Sequence, residues 1–361
     1  MPCKLHYQGE TFDTTALPAT HKTPLLQSVF DFCRAWESGT EAFTIRTSGS
    51  TGTPKPIRLE RRQMQRSAEM TAQALGLAAN DRALVCLPTQ YIAGRMMLVR
   101  GMVLGLELFL TEPQRNPTTG FPETQGFDFA ALIPLQAEAI LEAGDAHFFR
   151  GGKAIIIGGA PVSVGLEKQL NAFGCPVWAT YGMTETVTHI ALRRLEGKAA
   201  SPHFEALPGV VLSQDERDCL QIKAPTTRGK TLTTNDRVRL LDERRFVWLG
   251  RADFVINSGG VKVQPENVEA QATRWLYENK HPGDVIATGL PDPQLGQKVV
   301  LVLEGNPLSE ETQRRLFQSL RASLSRYEVP KEIYFLSEFP RTATRKIDRN
   351  EVRMQILSEQ K

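Results

Sequence analysis

An α/β fold in two unequal domains is what the sequence predicts, and three observations carry that prediction. The chain has 361 residues, 41% of them hydrophobic, which is too long for one compact core. Short β-rich runs alternate with amphipathic stretches through the first half, the mark of a mostly parallel sheet covered by helices on both faces. The pattern then changes near residue 203, where helical periodicity stops, and again after 253, where strands and helices resume. The expected architecture is a large N-terminal domain, residues 1–252, with mostly parallel sheets covered by helices plus a small antiparallel β subdomain. A small α+β C-terminal domain, residues 253–361, follows.

The elements follow in chain order. Phe43–Arg46 reads as a strand, and residues 60–76 as a helix whose Met64, Ala68, Thr71 and Leu75 share one face. Ala83–Leu87 is a strand, 95–104 a helix and Leu106–Leu110 a strand. The alternation continues with strand Phe127–Ile133, helix 134–142, strand Ala154–Ile157, helix 163–173 and strand Val177–Thr180. CLQIKA, RVRLL and RFVWLG then alternate around turn residues, as antiparallel strands do. The tail predicts helix 265–278, strand 299–303, helix 309–324, strand 332–336 and a helix near 349–358, enough apolar positions for a second core. The boundary falls at Arg251–Asp253.

Composition excludes several classes. The 43 basic and 40 acidic residues nearly cancel, so a nucleic-acid footprint is not expected. Arg58, Arg61, Arg62 and Arg66 read as a solvated helix face. Five cysteines with no CxxC pair predict neither a disulfide framework nor a zinc site, and the six histidines have no HExxH or HxxxH spacing. MPCKLHYQGE lacks the apolar core of a signal peptide, and the apolar stretch 96–110 is interrupted by Arg100 and Glu107. The expectation is a soluble cytoplasmic protein without membrane insertion, its oligomeric state open.

The strongest local signal is TSGSTGTPKP at 47–56. Two glycines let backbone N–H groups converge on an anion, hydroxyl groups add donors, and Lys55 adds charge. It is not a Walker A loop, because Pro54 precedes Lys55 and no Ser or Thr follows. Four further motifs follow: GGAP at 158–161, YGMTET at 181–186, TTND at 233–236 with GRAD at 250–253, and NSGGVKVQPENVE at 257–269. PRTATRKIDR at 340–349 closes the series.

In this order the motifs resemble those of the acyl-adenylate-forming superfamily, which includes acyl-CoA synthetases, peptide-synthetase adenylation domains and luciferases. The resemblance implies an ATP site built from Thr47, Ser48, Gly49, Ser50, Thr51, Gly52 and Lys55 around the phosphates. Gly159 and Ala160 would lie on the adenine side, with Tyr181, Gly182 and Thr184 beside them. Glu185 would hold Mg2+ on ATP, since a carboxylate beside a triphosphate is tolerable only through a cation. Asp236 would bind the ribose hydroxyls with Arg251, fifteen residues on. Asp253 would be the pivot of a mobile C-terminal domain, Gly259 and Gly260 would line a coenzyme A tunnel, and Lys346 would be the catalytic lysine. The family usually has glycine before that lysine, where this chain has Arg345.

Relatives typically carry more than a hundred residues before the phosphate loop, against 46 here. Among short members, the segments YGMTETVTHIALRRL and LPTQYIAGRMMLVRG look most like 2-succinylbenzoate–CoA ligases of menaquinone biosynthesis. Tyr91 stands where many relatives have histidine at the acyl-pocket gate. The second carboxylate of such an acid needs a cationic or multiply hydrogen-bonding partner if buried, and Arg95, Arg100, His189 and Arg193 are candidates. The resemblance implies two steps: adenylation of the acid with release of pyrophosphate, then transfer of the acyl group to coenzyme A. Another aryl- or acyl-CoA synthetase, loading of a carrier protein and a silent nucleotide-binding role remain as alternatives.

Overall fold

The computed structural model describes residues 3–46, 56–281, 283–342 and 346–359. The phosphate-loop residues Thr47, Ser48, Gly49, Ser50, Thr51, Gly52 and Lys55 lie outside them, as does Arg345.

Six strands run parallel at the centre, in the order Lys4–Tyr7, Glu107–Leu110, Arg82–Val85, Phe129–Leu132, Ala154–Ile157, Val177–Gly182. Phe129–Leu132 and Ala154–Ile157 are buried at every position, as strands covered on both faces must be. Their alternate residues point to opposite cores. Ala83, Val85, Phe129 and Ile156 face one, while Leu84, Ala130, Ile155 and Ile157 face the other. Helices Pro24–Glu37, Arg61–Leu75 and Ile92–Leu104 close the first face; Pro134–Ala143 and Val164–Gln169 close the second.

The antiparallel strands expected after residue 203 do form, but they continue the same sheet. His189–Arg194 pairs antiparallel with Val177–Gly182, and the order runs on through Phe204–Ala206, Arg245–Arg251, Thr231–Leu240, Cys219–Lys223 and Val211–Gln214. The helix expected at 163–173 is α-helical only over Val164–Gln169. It tightens to a 3-10 turn at Leu170–Phe173 before Gly174, whose φ of +64° ends it.

The arginine cluster is not one helix face. Arg58 lies on the strand Pro56–Glu60, and Arg61 stacks its guanidinium 4.1 Å over the Trp36 ring. Elements absent from the sequence reading include the opening hairpin Lys4–Tyr7/Glu10–Asp13, the helix Pro24–Glu37 and the strands Pro56–Glu60, His189–Arg194 and Val285–Asp292.

The C-terminal part has its own five-stranded sheet. Helices Pro265–Glu278 and Glu310–Ser323 pack on one face and Arg349–Glu359 on the other, each over a separate apolar cluster. Contact with the larger part is specific. The Tyr277 ring lies against Gly165 with Lys168 Nζ 4.7 Å from its centre, and the Arg251 backbone N–H donates to Glu266 at 3.0 Å. Among the described residues, no helix is long and apolar enough to cross a membrane.

Candidate active site

In the parallel sheet the chain steps from Arg82–Val85 out to Glu107–Leu110 and returns on the other side at Phe129–Leu132. Ligands of open α/β sheets bind beyond the carboxyl ends of strands at such a reversal. Three predicted segments leave carboxyl ends here: the Tyr91 segment after Arg82–Val85, Gly159 and Ala160 after Ala154–Ile157, and Tyr181–Glu185 at the end of Val177–Gly182. Ala160 and Gly159 are exposed, as a ligand-facing loop requires.

The YGMTET segment is held in an unusual backbone. Gly182 sits so close to the Thr188 carbonyl that a Cβ would lie 2.3 Å from its oxygen, so no larger residue fits. The Thr184–Thr186 3-10 turn ends at Val187, a buried β-branched residue at φ +71°. That conformation costs on the order of 1–3 kcal/mol and persists only where the surroundings enforce it. Here the Val187 N–H donates to the Thr184 carbonyl at 2.9 Å, and the Thr186 hydroxyl ties Met183 to Thr188. The turn leaves Glu185 exposed and without an ion pair among the described residues. A lone exposed carboxylate fits a hard cation that takes its other oxygens from phosphate.

Asp236 is where the antiparallel strands enter the site. Register pairs it directly with Arg251, and its carboxylate accepts from Tyr181 Oη at 2.7 Å and Trp248 Nε1 at 3.4 Å. The Arg251 guanidinium stands 3.8 Å away, and also bonds Asp253. Burial and the Asp236 charge push the Tyr181 phenol well above its ordinary range, so it remains a donor. Trp248 was not singled out from the sequence, because its part depends on cross-strand geometry. Asp253 lies in the 3-10 turn Ala252–Phe254 and accepts a second bond from Asn235 Nδ2 at 3.1 Å.

Lys346 comes to this cluster from the other part of the chain. Its loop is pinched at the neck by the Arg341–Ile347 bridge and by the Thr342 N–H donating to the Lys346 carbonyl at 2.8 Å. Arg341 anchors that neck to Asp284 at 2.7 Å and Glu304 at 2.9 Å. The lysine tip keeps solvent contact, yet the protein packed around it, and then the Arg251 charge, lower its pKa below the ordinary value. Arg251 and Lys346 are thus near enough for their charges to act on each other. Gly259 and Gly260 are exposed in this arrangement; a Cβ at Gly259 would press on the Tyr327 ring and the Leu295 side chain, and one at Gly260 would find nothing within 4 Å.

The acyl-side candidates separate. Tyr91 is exposed at the start of helix Ile92–Leu104. Arg95 directs Nε to the Thr89 carbonyl at 2.9 Å and a terminal nitrogen to that of Thr44 at 3.3 Å, so backbone oxygens already occupy it. Arg193 is not available either, since it pairs with Glu167 at 2.7 Å. His189 is buried beside Thr71 and Arg100. Burial first, and Arg100 second, hold its pKa well below the usual value, so it is neutral near pH 7. Arg100 is the exception. Only 2% exposed, it has no carboxylate partner among the described residues: its contacts are two hydroxyls, Thr71 and Thr188, each at 3.4 Å, and the Met97 sulfur at 3.7 Å, with Nε unbonded. Burial lowers its pKa to about 10, which leaves it cationic at neutral pH.

Comparison with known proteins agrees with this geometry. A 2-succinylbenzoate–CoA ligase of Bacillus cereus is 28% identical over 344 residues, covering 87% of this chain and 70% of its own length. A solved acyl-CoA synthetase (AMP-forming)/AMP-acid ligase II-like protein from Dyadobacter fermentans is 41% identical, with a TM-score of 0.64 over 95% of this chain and 97% of that one. The o-succinylbenzoate CoA synthetase of Bacillus subtilis, solved with its acyl-adenylate intermediate, shares the fold at 23% identity, with a TM-score of 0.68 over 86% and 68%. The AMP-binding enzyme family matches residues 6–246, and the AMP-binding enzyme C-terminal domain matches 276–346. The first match takes in Tyr181, Glu185 and Asp236, and the second ends on Lys346. The chain therefore belongs to the AMP-binding enzyme family, as an ATP-dependent acyl-adenylate-forming ligase.

Proposed function

We infer that the chain activates an aromatic acid carrying a second carboxylate, 2-succinylbenzoate, and passes the acyl group to coenzyme A, releasing AMP and pyrophosphate. The observation that carries the substrate class is Arg100. A buried guanidinium has five N–H donors, and among the described residues its hydrogen-bond partners are two distant hydroxyls and a thioether, with the Phe129 ring centre 5.9 Å away. A buried cation without a counter-charge is costly, and a carboxylate entering beside it removes that cost. The carboxylate left unactivated supplies the missing charge, which a simple fatty acid lacks. Support also comes from the 2-succinylbenzoate–CoA ligase relatives.

In the adenylation step, Asp236 would hold the ribose, and Arg251 and Lys346 would face the charge developing around the α-phosphorus. Lys346 would be the catalytic group. Mg2+ held on ATP by Glu185 would neutralise the phosphates; a neighbour of the same fold is solved with ATP and magnesium. Tyr181, bonded to Asp236, would fix the carboxylate orientation. For thiol transfer, the C-terminal part would turn about Asp253 to bring Gly259 and Gly260 to the site in place of Lys346.

A pyrophosphate-release screen across acids tests the substrate. Turnover of 2-succinylbenzoate at least tenfold above that of benzoate, 4-phenyl-4-oxobutyrate and a long-chain fatty acid is expected. Equal turnover of 2-succinylbenzoate and 4-phenyl-4-oxobutyrate would remove the second carboxylate from the account.

A further inference from the structure

Helix Pro265–Glu278 touches the larger part of the chain at both ends. Its own core face is Val268, Ala272 and Leu276, spaced by four and buried against the C-terminal sheet. Tyr277 follows Leu276 and so points about 100° away from that stripe. A tyrosine off the apolar stripe is ordinarily solvated, yet this ring is half-buried against the larger part. A Cβ at Gly165 would lie 2.5 Å from the Tyr277 ring, so any side chain at 165 would displace it. Lys168, three positions on along helix Val164–Gln169, sets Nζ 4.7 Å from the ring centre. Ring packing on a bare glycine, with a cation over the aromatic face, is a contact that neither part can form alone.

The other end of the helix lies beside the Asp253 turn. Gln264 accepts from Arg237 Nη1 at 3.2 Å and donates to the Arg251 carbonyl at 3.2 Å, and Glu266 accepts from the Arg251 N–H. A Cβ at Gly250 would meet Gln264 Nε2 and Glu266 Oε2 at 2.3 Å. These contacts sit next to the proposed pivot, where a turn of the C-terminal part displaces atoms least. Tyr277 lies further along the helix, roughly 18 Å from Pro265 at 1.5 Å per residue. A turn about the helix axis swings the ring aside, and a turn about any other axis moves it further than the pivot end. Either one breaks the contact with Gly165 and Lys168.

We propose that Tyr277 is a positioning residue for the first reaction step: packed on Gly165 and beneath Lys168, its ring latches the C-terminal part in the orientation in which Lys346 serves adenylation. The latch rests on the proposed turn about Asp253, and is the contact which that turn must break. Weakening it shifts the balance between the two orientations toward the one that serves thiol transfer. When turning is fast relative to chemistry, the rate of each step follows the share of its own orientation. The ratio of the two rates then changes by the same factor as the balance.

The two steps are measured separately in the full chain. Adenylation is read as acid-dependent pyrophosphate release with coenzyme A withheld, and transfer as thioester formed from prepared acyl-adenylate and coenzyme A. Tyr277→Ala should raise the ratio of transfer to adenylation about tenfold, the scale of one lost ring contact. Gly165→Ala, which pushes the ring out from the other part, should move the ratio the same way, and Lys168→Ala by about threefold. Tyr277→Phe keeps the ring and should stay at the parental ratio. Lys168→Cys with Tyr277→Cys should behave as Tyr277→Ala until a short bismaleimide joins the two thiols. The joined protein should then adenylate but not transfer; the five native cysteines are buried and escape the reagent. Matched thermal melts check that each variant folds. Equal losses in both steps for Tyr277→Ala make the residue structural and overturn the proposal. An unchanged ratio in that variant, with transfer lost in the joined protein, overturns the latch and leaves the turn standing. If the joined protein transfers at the parental rate, no turn is needed, and the turn about Asp253 fails together with the latch.

Discussion

Replacing Arg100 with methionine should loosen substrate choice while leaving the fold as stable as before or more so. Among the described residues the guanidinium has no carboxylate partner, its Nε is unbonded, and its closest oxygen contacts are hydroxyls at 3.4 Å. Substituting a buried charged group by an apolar one of similar length is often neutral or stabilising, and methionine adapts to irregular cavities. The melting temperature should therefore stay level or rise. With substrate bound, the same change removes the counter-charge for the second carboxylate. A hydrogen bond to a charged group contributes roughly 1.5–3 kcal/mol, so kcat/KM for 2-succinylbenzoate should fall roughly 10- to 150-fold. The rate with 4-phenyl-4-oxobutyrate, which lacks that group, should be unchanged or higher. Arg100→Lys keeps the charge but loses the fork and should fall between. The assay is acid-dependent pyrophosphate release alongside a thermal melt. Equal losses on both acids, together with a lower melting temperature, would refute the reasoning and make Arg100 a structural residue.

Three other outcomes follow from the geometry. Asp236→Ala should weaken ATP binding roughly 10- to 150-fold through loss of charge-assisted ribose contacts, read by equilibrium titration; unchanged affinity in a folded variant contradicts the ribose assignment. Because its surroundings and Arg251 lower the Lys346 pKa, adenylation should fall with rising pH before the ordinary lysine range near ~10.4. Arg251→Gln removes one of the two causes, so in a pH–rate profile of that variant the alkaline limb should move upward. Glu269→Ala strands the Arg349 guanidinium, which pairs with Glu269 and stacks 4.9 Å from the Phe254 ring centre. Breaking such a buried pair costs about 3–5 kcal/mol, visible as a lower urea midpoint for the C-terminal part.

Much of the candidate site could be placed from the sequence because its motifs are contiguous and lie at strand ends. YGMTET could be read from six consecutive residues, 181–186, and the parallel strands from their unbroken apolar runs. What escaped depends on distant partners. Arg193 resembled a free cation until the fold set Glu167 beside it, 26 positions away. The isolation of Arg100 is likewise a product of three segments, since Thr71 and Thr188 reach it from 29 and 88 positions away. The helix Pro24–Glu37 was readable and missed: Leu26, Val29, Phe30, Cys33 and Trp36 recur at helical spacing and are all buried. The strand Val285–Asp292 was harder, because Gly289 and Pro291 interrupt its β pattern, and its pairing with Gly296–Glu304 is what sustains it.

The most direct test of adenylation is the fate of ATP in a single turnover with acid present and coenzyme A withheld. Mixing the protein with limiting ATP, Mg2+ and 2-succinylbenzoate, then quenching in acid, should give pyrophosphate and an equal amount of acyl-adenylate by mass spectrometry, with no ADP. In an unquenched sample, addition of coenzyme A should convert that adenylate to AMP and thioester. Formation of ADP and phosphate, or pyrophosphate release that does not depend on the acid, would contradict the account.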